Sequence, residues 1–375
     1  MVILHTKGYM MNNKKVRAIA FYLPQFYPTK ENDEWWSPGF TEWTNVGKAK
    51  PLFRGHLQPR VPADLGYYDL RIEEVREKQA KLAQDAGIEG FCYWHYWFNG
   101  RRLLDRVFSE VVKTGKPDFP FCLCWANHSW YKKTWDPSKG TNKLLIEQTY
   151  GGVEDFTNHF YSILPAFKDS RYMKVDGKLI FGIFDVSFQD YRLFSKTWNE
   201  LARKNGLEGF FFFGLCSETY IIDKARKNGI ENVVVDNLVD AYYHVDSTIR
   251  RKCGFLKRKY FQKPYVVHYE KYVQYAIDYL ESHYEKTPNM IPCIEPGFDH
   301  SPRSAELGVV FDRSTPNKWG ELCRNVINII SRSTTHTDRL LFIKAWNEWA
   351  EGNYLEPDIK YGKGYLEEFA KNNII

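Results

Sequence analysis

Residues 340–358 read LLFIKAWNEWAEGNYLEPD. Leu340 to Ala345 form a short, mostly apolar run of strand length, and it stops abruptly at Trp346-Asn347-Glu348-Trp349-Ala350-Glu351-Gly352. The reading that decides the fold is a strand whose C-terminal end carries chemistry, because parallel α/β barrels gather their active sites on that face. Glu348 and Glu351 are three residues apart. On a helical turn that spacing puts Cβ atoms roughly 5–6 Å apart on one side. Two carboxyls at such reach can flank a glycosidic bond as acid and base. Trp346 and Trp349 offer flat apolar faces for pyranose rings, and Asn347 sits between them. The competing reading is a helix start with two solvated acids, but a solvated turn has no need of two tryptophans.

Seven more short apolar runs end in polar or aromatic residues. They are Val16 to Leu23, Gly90 to Tyr93, Phe119 to Trp125, Leu179 to Phe184, Phe210 to Leu215, Val233 to Leu238 and Met290 to Ile294. Helix-period segments lie between several of them. Arg71 to Ala86 places Ile72, Val75, Gln79, Leu82 and Ala83 on one face and stops at Gly87. Phe156 to Phe167, Phe194 to Asn205, Tyr272 to Tyr284 and Lys318 to Ile330 follow the same pattern. Strands alternating with helices predict a parallel sheet. Eight strands with their chemistry at the C-terminal ends predict a single (β/α)8 barrel. An open doubly wound sheet is the alternative, but Leu23-Pro24-Gln25-Phe26 is no glycine-rich phosphate loop.

Pro28 to Gly66 is long and irregular, with three Trp (Trp35, Trp36, Trp43) and five Pro. A loop of that length in a compact domain is usually functional, so it is expected to cover the barrel mouth. Residues 1–15 read as a loose leader and 16–375 as one catalytic domain. The strand ends nominate further sugar contacts: Tyr22 and Gln25, Trp43 from the long loop, His95, Trp125, Asn127 and Glu295. His128 stands on the same ground as Asn127, and Asp299 shares with Glu295 a tight turn that could aim either carboxylate at the site; Asp185 is balanced between a structural cap and a substrate contact, and Glu218 is equally open.

Composition narrows the class. Aromatic residues make up 17% of the 375, including 12 Trp and 25 Tyr. A core needs aliphatics more than these, so the surplus suits a concave polar site for carbohydrate. The net charge of +6 is mild, and no nucleic-acid motif accompanies it. The densest basic patch, Arg250 to Lys252 and Lys257 to Lys259, falls in an expected excursion between barrel units. An anionic glycan, a membrane surface and a plain solvated face are its three readings. Seven scattered Cys form no disulfide or metal pattern and suggest reduced thiols in a cytoplasm. No signal peptide or spanning segment is expected. No metal or other cofactor is called for, a nucleophile elbow is missing, and nothing in the pattern sets an oligomeric state.

Six segments, AFYLPQFYP, WWSPGFTEWTNV, PADLGYYDLR, GFCYWHYWF, FCLCWANHSW and KAWNEWAEG, resemble the WbsX group. That group is labelled as glycosyltransferases of lipopolysaccharide or capsule clusters and is similar to glycoside hydrolase family 99, the endo-α-mannosidases. The resemblance runs from about residue 16 to about 370. It implies a metal-free (β/α)8 barrel and a retaining route in which Glu348 takes the proton of the sugar 2-hydroxyl. That oxygen attacks its own anomeric carbon to give a 1,2-anhydro sugar. Glu351 protonates the leaving oxygen and later activates water. Glycosyl transfer in surface-polysaccharide assembly and plain glycan binding are the alternative functions.

Overall fold

A computed structural model describes residues 15–132, 142–261 and 263–373. Except for Lys15, the expected leader lies outside them. Eight strands form the barrel: β1 (Arg17–Tyr22), β2 (Gly90–Phe98), β3 (Phe121–Trp125), β4 (Lys178–Ile183), β5 (Phe210–Cys216), β6 (Asn232–Asp236), β7 (Met290–Ile294) and β8 (Leu340–Ile343). Each pairs in parallel with the next, and β8 returns to β1, so the sheet is closed. This is the expected (β/α)8 barrel.

One helix follows each strand: Glu73–Asp85, Arg106–Thr114, Gly152–Phe167, Tyr191–Lys204, Thr219–Asn228, Tyr269–His283, Pro316–Arg332 and Gly364–Asn372. Arg106–Thr114, Thr219–Asn228 and Gly364–Asn372 have ten residues or fewer, too short for a clear helical period. In Pro316–Arg332, Trp319, Leu322, Cys323, Val326 and Ile330 recur at the spacing of one helical face and are buried. Thr315 caps that helix by accepting from the Lys318 amide at 3.4 Å.

Side chains alternate across each strand, and here the phase decides everything downstream. Phe21, Trp94, Phe213 and Phe342 point inward and pack on one another, with Phe21 and Trp94 stacked at 4.8 Å. Cys92, Cys122 and Cys124 share that interior. Gly182 lets β4 pass close to it, because a Cβ there would collide with Phe213 and with the Cys124 sulfur. Tyr22, Tyr93, His95 and Trp125 point the other way, towards the helices.

Two of the chain's departures from the repeat, both at the C-terminal end of the strands, concern the mouth and its surroundings. After β1 the segment to residue 66 folds as two short helices, Lys30–Trp35 and Glu42–Lys48, and walls the mouth as expected. Asp299, just past β7, anchors this wall by accepting from Gln58 at 2.7 Å and bonding His56 at 2.8 Å. After β6 come the helices Leu238–His244 and Thr248–Phe261 and a small sheet of Tyr265–His268, Val309–Asp312 and Phe298–Asp299. Among the described residues no helix is long and apolar enough to cross a membrane.

Candidate active site

A cavity of about 680 Å³ opens at the C-terminal mouth of the barrel. Glu348 and Glu351 both line it. Glu348 ends a two-residue strand, Asn347–Glu348, that pairs with Asn353–Tyr354. Glu351 closes a single 3-10 turn, Trp349–Glu351. Gly352 follows with φ +57°, where a Cβ would press on Asp299 at 2.8 Å, so the turn that aims Glu351 needs glycine. The pair therefore sits on a tight hairpin corner rather than on a helical face.

Arg303 stands between the acids. Its guanidinium donates to Glu348 at 3.1 Å, to Glu42 at 2.8–2.9 Å and to Glu351. One cation thus meets three buried or half-buried carboxylates. Burial and the neighbouring charge of Glu351 push Glu348 up to about 7, against the pull of Arg303. Burial also acts on Glu351, but Arg303, His300 and Lys344 outweigh it and hold that carboxyl below its usual value. Burial and charge thus bias the free site towards a proton on Glu348 and a negative charge on Glu351.

A second charged layer lies at the ends of β6, β7 and β8. Lys344 lines the cavity and donates to Asp236 at 3.0 Å. Asp236 in turn hydrogen-bonds Glu295, whose carboxyl is driven far up by burial and by the Asp236 charge. A protonated Glu295 that donates to Asp236 leaves neither oxygen pair isolated. Tyr272 donates to the other side of Glu295, and the Tyr269 hydroxyl binds its backbone carbonyl at 2.6 Å. Aromatic side chains complete the wall: Trp36, Trp94, Tyr96, Trp130 and Phe184, with His128 among them.

The family model for glycosyltransferase WbsX matches residues 18–369. The chain belongs to the WbsX family. It is 31% identical to the uncharacterized protein WxcX of Xanthomonas campestris pv. campestris strain B100 over 354 residues, 93% of this chain and 48% of that protein. It thus spans about half the length of the curated relatives it matches. Among solved structures, a glycoside hydrolase-like protein aligns over 97% of this chain and 95% of its own, with a TM-score of 0.58 and 13% identity. The GH99 endo-alpha-mannosidase from Bacteroides thetaiotaomicron aligns over 95% and 96%, with a TM-score of 0.53 and 13% identity. These two likenesses bear on the fold alone.

Within this WbsX member the residues expected at the site divide sharply. Glu348, Glu351, Gln25 and His128 line the cavity. The others stand behind it. The Tyr22 hydroxyl donates to Gln79 at 2.7 Å on the outer face of β1. His95 is buried against His159, ring nitrogens 2.8 Å apart. The Trp125 indole donates to the Trp97 carbonyl at 3.1 Å and packs among Phe188, Phe194 and His159. Asn127 clasps the end of β4, accepting from the Asp185 amide at 2.7 Å and donating to its carbonyl at 3.1 Å. Asn347 does the same for Leu23, at 2.7 and 3.0 Å. Trp43 donates to the Tyr68 carbonyl at 2.7 Å. Trp349 stacks on Tyr354 at 3.7 Å and donates to Glu356 at 2.6 Å. Trp346 is fully buried against Phe91. Glu295 lies beneath Lys344 rather than on the cavity surface. The physical reason is the same for the strand residues: each is one position out of phase with the inward-pointing set.

Sequence reasoning nominated His128, which lines the cavity, but missed Glu42, Arg303, Lys344, Trp94 and Tyr96. For Trp94 and Tyr96 the signal was present. Cys92 must pack in a narrow interior, and the next inward positions of β2 are two and four residues on. Arg303 had no such signal, because it reaches the site from a four-residue helix, Ser301–Ser304.

Proposed function

We propose that this protein is a glycan-active enzyme that breaks or transfers an α-linked glycosidic bond with retention, through Glu348 and Glu351. One observation carries the reading: both carboxylates reach a single mouth cavity around one cation, in surroundings that dispose Glu348 to hold a proton and Glu351 to shed it. Acid–base work at a sugar needs that state, one group to give a proton and one to take it. The aromatic wall suits sugar rings. The family name and the endo-alpha-mannosidase likeness both concern glycosidic bonds and support the same class. Of the cations that line the cavity, Arg303 and Lys344 are each held by carboxylates. The seven free cysteines, six of them buried, suit a reducing cytoplasm.

In the proposed route the base takes the 2-hydroxyl proton and O2 closes on C1 as the leaving oxygen departs with the proton of the acid. Water or a sugar hydroxyl then opens the 1,2-anhydro ring at C1. The former acid takes the proton of that nucleophile and the former base returns one to O2. Two inversions give net retention. The family resemblance makes Glu348 the base and Glu351 the acid. A second reading reverses them, favoured by the raised value of Glu348 and the Arg303-held charge of Glu351.

A leaving-group series separates the two. Turnover of substrates with poor and good leaving groups is measured for Glu348→Gln and Glu351→Gln. The variant that loses the acid recovers with a good leaving group, because little protonation is then needed; the variant that loses the base does not. Recovery of Glu351→Gln supports the family assignment, and recovery of Glu348→Gln the reversed one. Full activity in both variants removes the pair from the mechanism.

A further inference from the structure

Between Asp246 and Glu270 the sequence has no acid and seven Lys or Arg (Arg250, Arg251, Lys252, Lys257, Arg258, Lys259, Lys263). Most of it forms the helix Thr248–Phe261. Arg251 turns back to the Tyr243 carbonyl, Arg258 hydrogen-bonds Tyr242, and Gly254 lies flat against the Tyr265 ring with no room for a side chain. That side is the seat of the helix on its own excursion, against Leu238–His244 and Tyr265–His268. The opposite side carries Ile249, Cys253, Leu256 and Tyr260, spaced by four, three and four residues, which is one continuous helical stripe. All four are exposed: Ile249 at 76%, Leu256 at 52% and Tyr260 at 66%, and Cys253 with them. Phe261, at the helix end, is 70% exposed. Exposed Lys252 borders the stripe on one side, and exposed Arg250 and Lys257 border it on the other.

Scattered apolar residues on a surface need no explanation, but an apolar stripe between cationic borders is the pattern of a helix lying in a bilayer interface. The apolar side chains enter the headgroup boundary while the flanking cations meet lipid phosphates. We propose that the helix Thr248–Phe261 docks this protein onto an anionic phospholipid surface. Charge complementarity selects that occupant over a protein partner of mixed charge: Arg250 is paired with Asp246 at 3.3 Å, and exposed Lys252 and Lys257 leave the borders of the stripe cationic. Placement agrees. The helix springs from the C-terminal side of β6, and its following strand, Tyr265–His268, joins the small sheet that reaches Phe298–Asp299 just past β7. The helix therefore belongs to the same end of the barrel as the cavity, which suits an enzyme whose glycan is carried at a membrane surface. Binding needs no substrate, so it stands or fails apart from the glutamate chemistry.

The test is co-sedimentation of the full chain with vesicles of phosphatidylglycerol and phosphatidylcholine, against phosphatidylcholine alone. Wild type is expected to pellet with the anionic vesicles only, and less so as salt is raised. Each cation near an anionic surface gives on the order of a fivefold gain in partitioning, so Lys252→Gln with Lys257→Gln is expected to lower it roughly 25-fold. Ile249→Ser with Leu256→Ser is expected to abolish pelleting, with unchanged circular dichroism and melting temperature. Equal binding to both vesicle types overturns the proposal. So does binding that survives in both double variants, and so does absence of binding together with a dimer that the Ile249 and Leu256 changes dissolve.

Discussion

Trp94 and Tyr96 on one side of β2, and His95 and Trp97 on the other, come from four consecutive residues and belong to two different regions. The inner pair faces a cavity in which Arg303, Lys344 and several carboxylates hold charge. The outer pair faces the helix Gly152–Phe167, where the Trp97 indole donates to Asp155 at 2.9 Å and His95 meets His159. Trp97 and His159 stack at 4.7 Å with an interplanar angle of 3°. Both regions are rich in aromatic and titratable groups, so composition does not tell them apart. Only the phase of the strand does. Inner-face substitutions are expected to change chemistry and binding, and outer-face substitutions to change stability.

The largest effect belongs to the glutamates. Glu348→Gln and Glu351→Gln are each expected to slow turnover of an unactivated substrate by about 10²- to 10⁴-fold, the usual contribution of a positioned acid or base. Neither change alters shape, and Arg303 keeps two of its three carboxylate partners, so each variant should still fold and melt cooperatively. A slowed enzyme that also melts early would blur the comparison, because it would make the pair part of the scaffold.

Two tryptophans provide the next contrast. Trp36 lines the cavity and is 40% exposed. Trp36→Ala is expected to raise KM by about tenfold with little change in stability, the loss of one stacking face being worth roughly 1.5 kcal/mol. Trp125 is fully buried on the outer side of β3. Trp125→Ala is expected to cost about 3–5 kcal/mol of stability and to leave KM of the folded fraction unchanged. Denaturant melts and initial rates on the two variants decide it. A KM effect in Trp125→Ala as large as in Trp36→Ala would erase the distinction between the faces.

The barrel was legible because its signal is redundant. Eight runs such as Phe210 to Leu215 and Val233 to Leu238 each begin near the observed strand, and the segments between them mostly show a helical period. The proposed pair was legible as neighbours because Glu348 and Glu351 lie on one tight corner, where short-range spacing is enough. Tyr22, His95 and Trp125 were placed at the correct end of the correct strand but on the wrong side of it. A strand buried on both faces shows no polar–apolar alternation, so β2, buried throughout from Gly90 to Phe98, gives no phase by hydrophobicity. Arg303 and Glu42 were out of reach for another reason. They are 261 residues apart, and only the closed barrel brings them to the same carboxylate cluster.

The smallest effect is the acid limb of stability. Burial holds both His95 and His159 well below the ordinary histidine value, and neighbouring charge adds to it. The folded protein therefore keeps both rings neutral, one donating to the other. The unfolded chain takes protons at each below about 6.5. Their contribution is complete above that pH and is lost as pH falls, by up to about 1.4 kcal/mol per unit for each ring. Glu348 and Glu356 act in the opposite sense. Both are pushed up to about 7, chiefly by burial, so the folded state gains protons first, and their share of stability is present at acid pH and lost as pH rises through about 7. The two trends overlap between roughly pH 4.5 and 7, and a single melting curve sums them. The outer-face share is read by difference. His95→Leu with His159→Phe removes both rings, and its stability relative to wild type is followed from pH 7.5 down to about 5. The double variant is expected to be less stable at neutral pH, because a packed and hydrogen-bonded pair is gone. Its deficit should shrink as the pH falls, because wild type alone pays the histidine penalty there. A deficit that stays constant with pH would mean that the rings take up protons in the folded protein at the same pH as in the unfolded chain, and the outer region would then be a titrating site rather than a packed one.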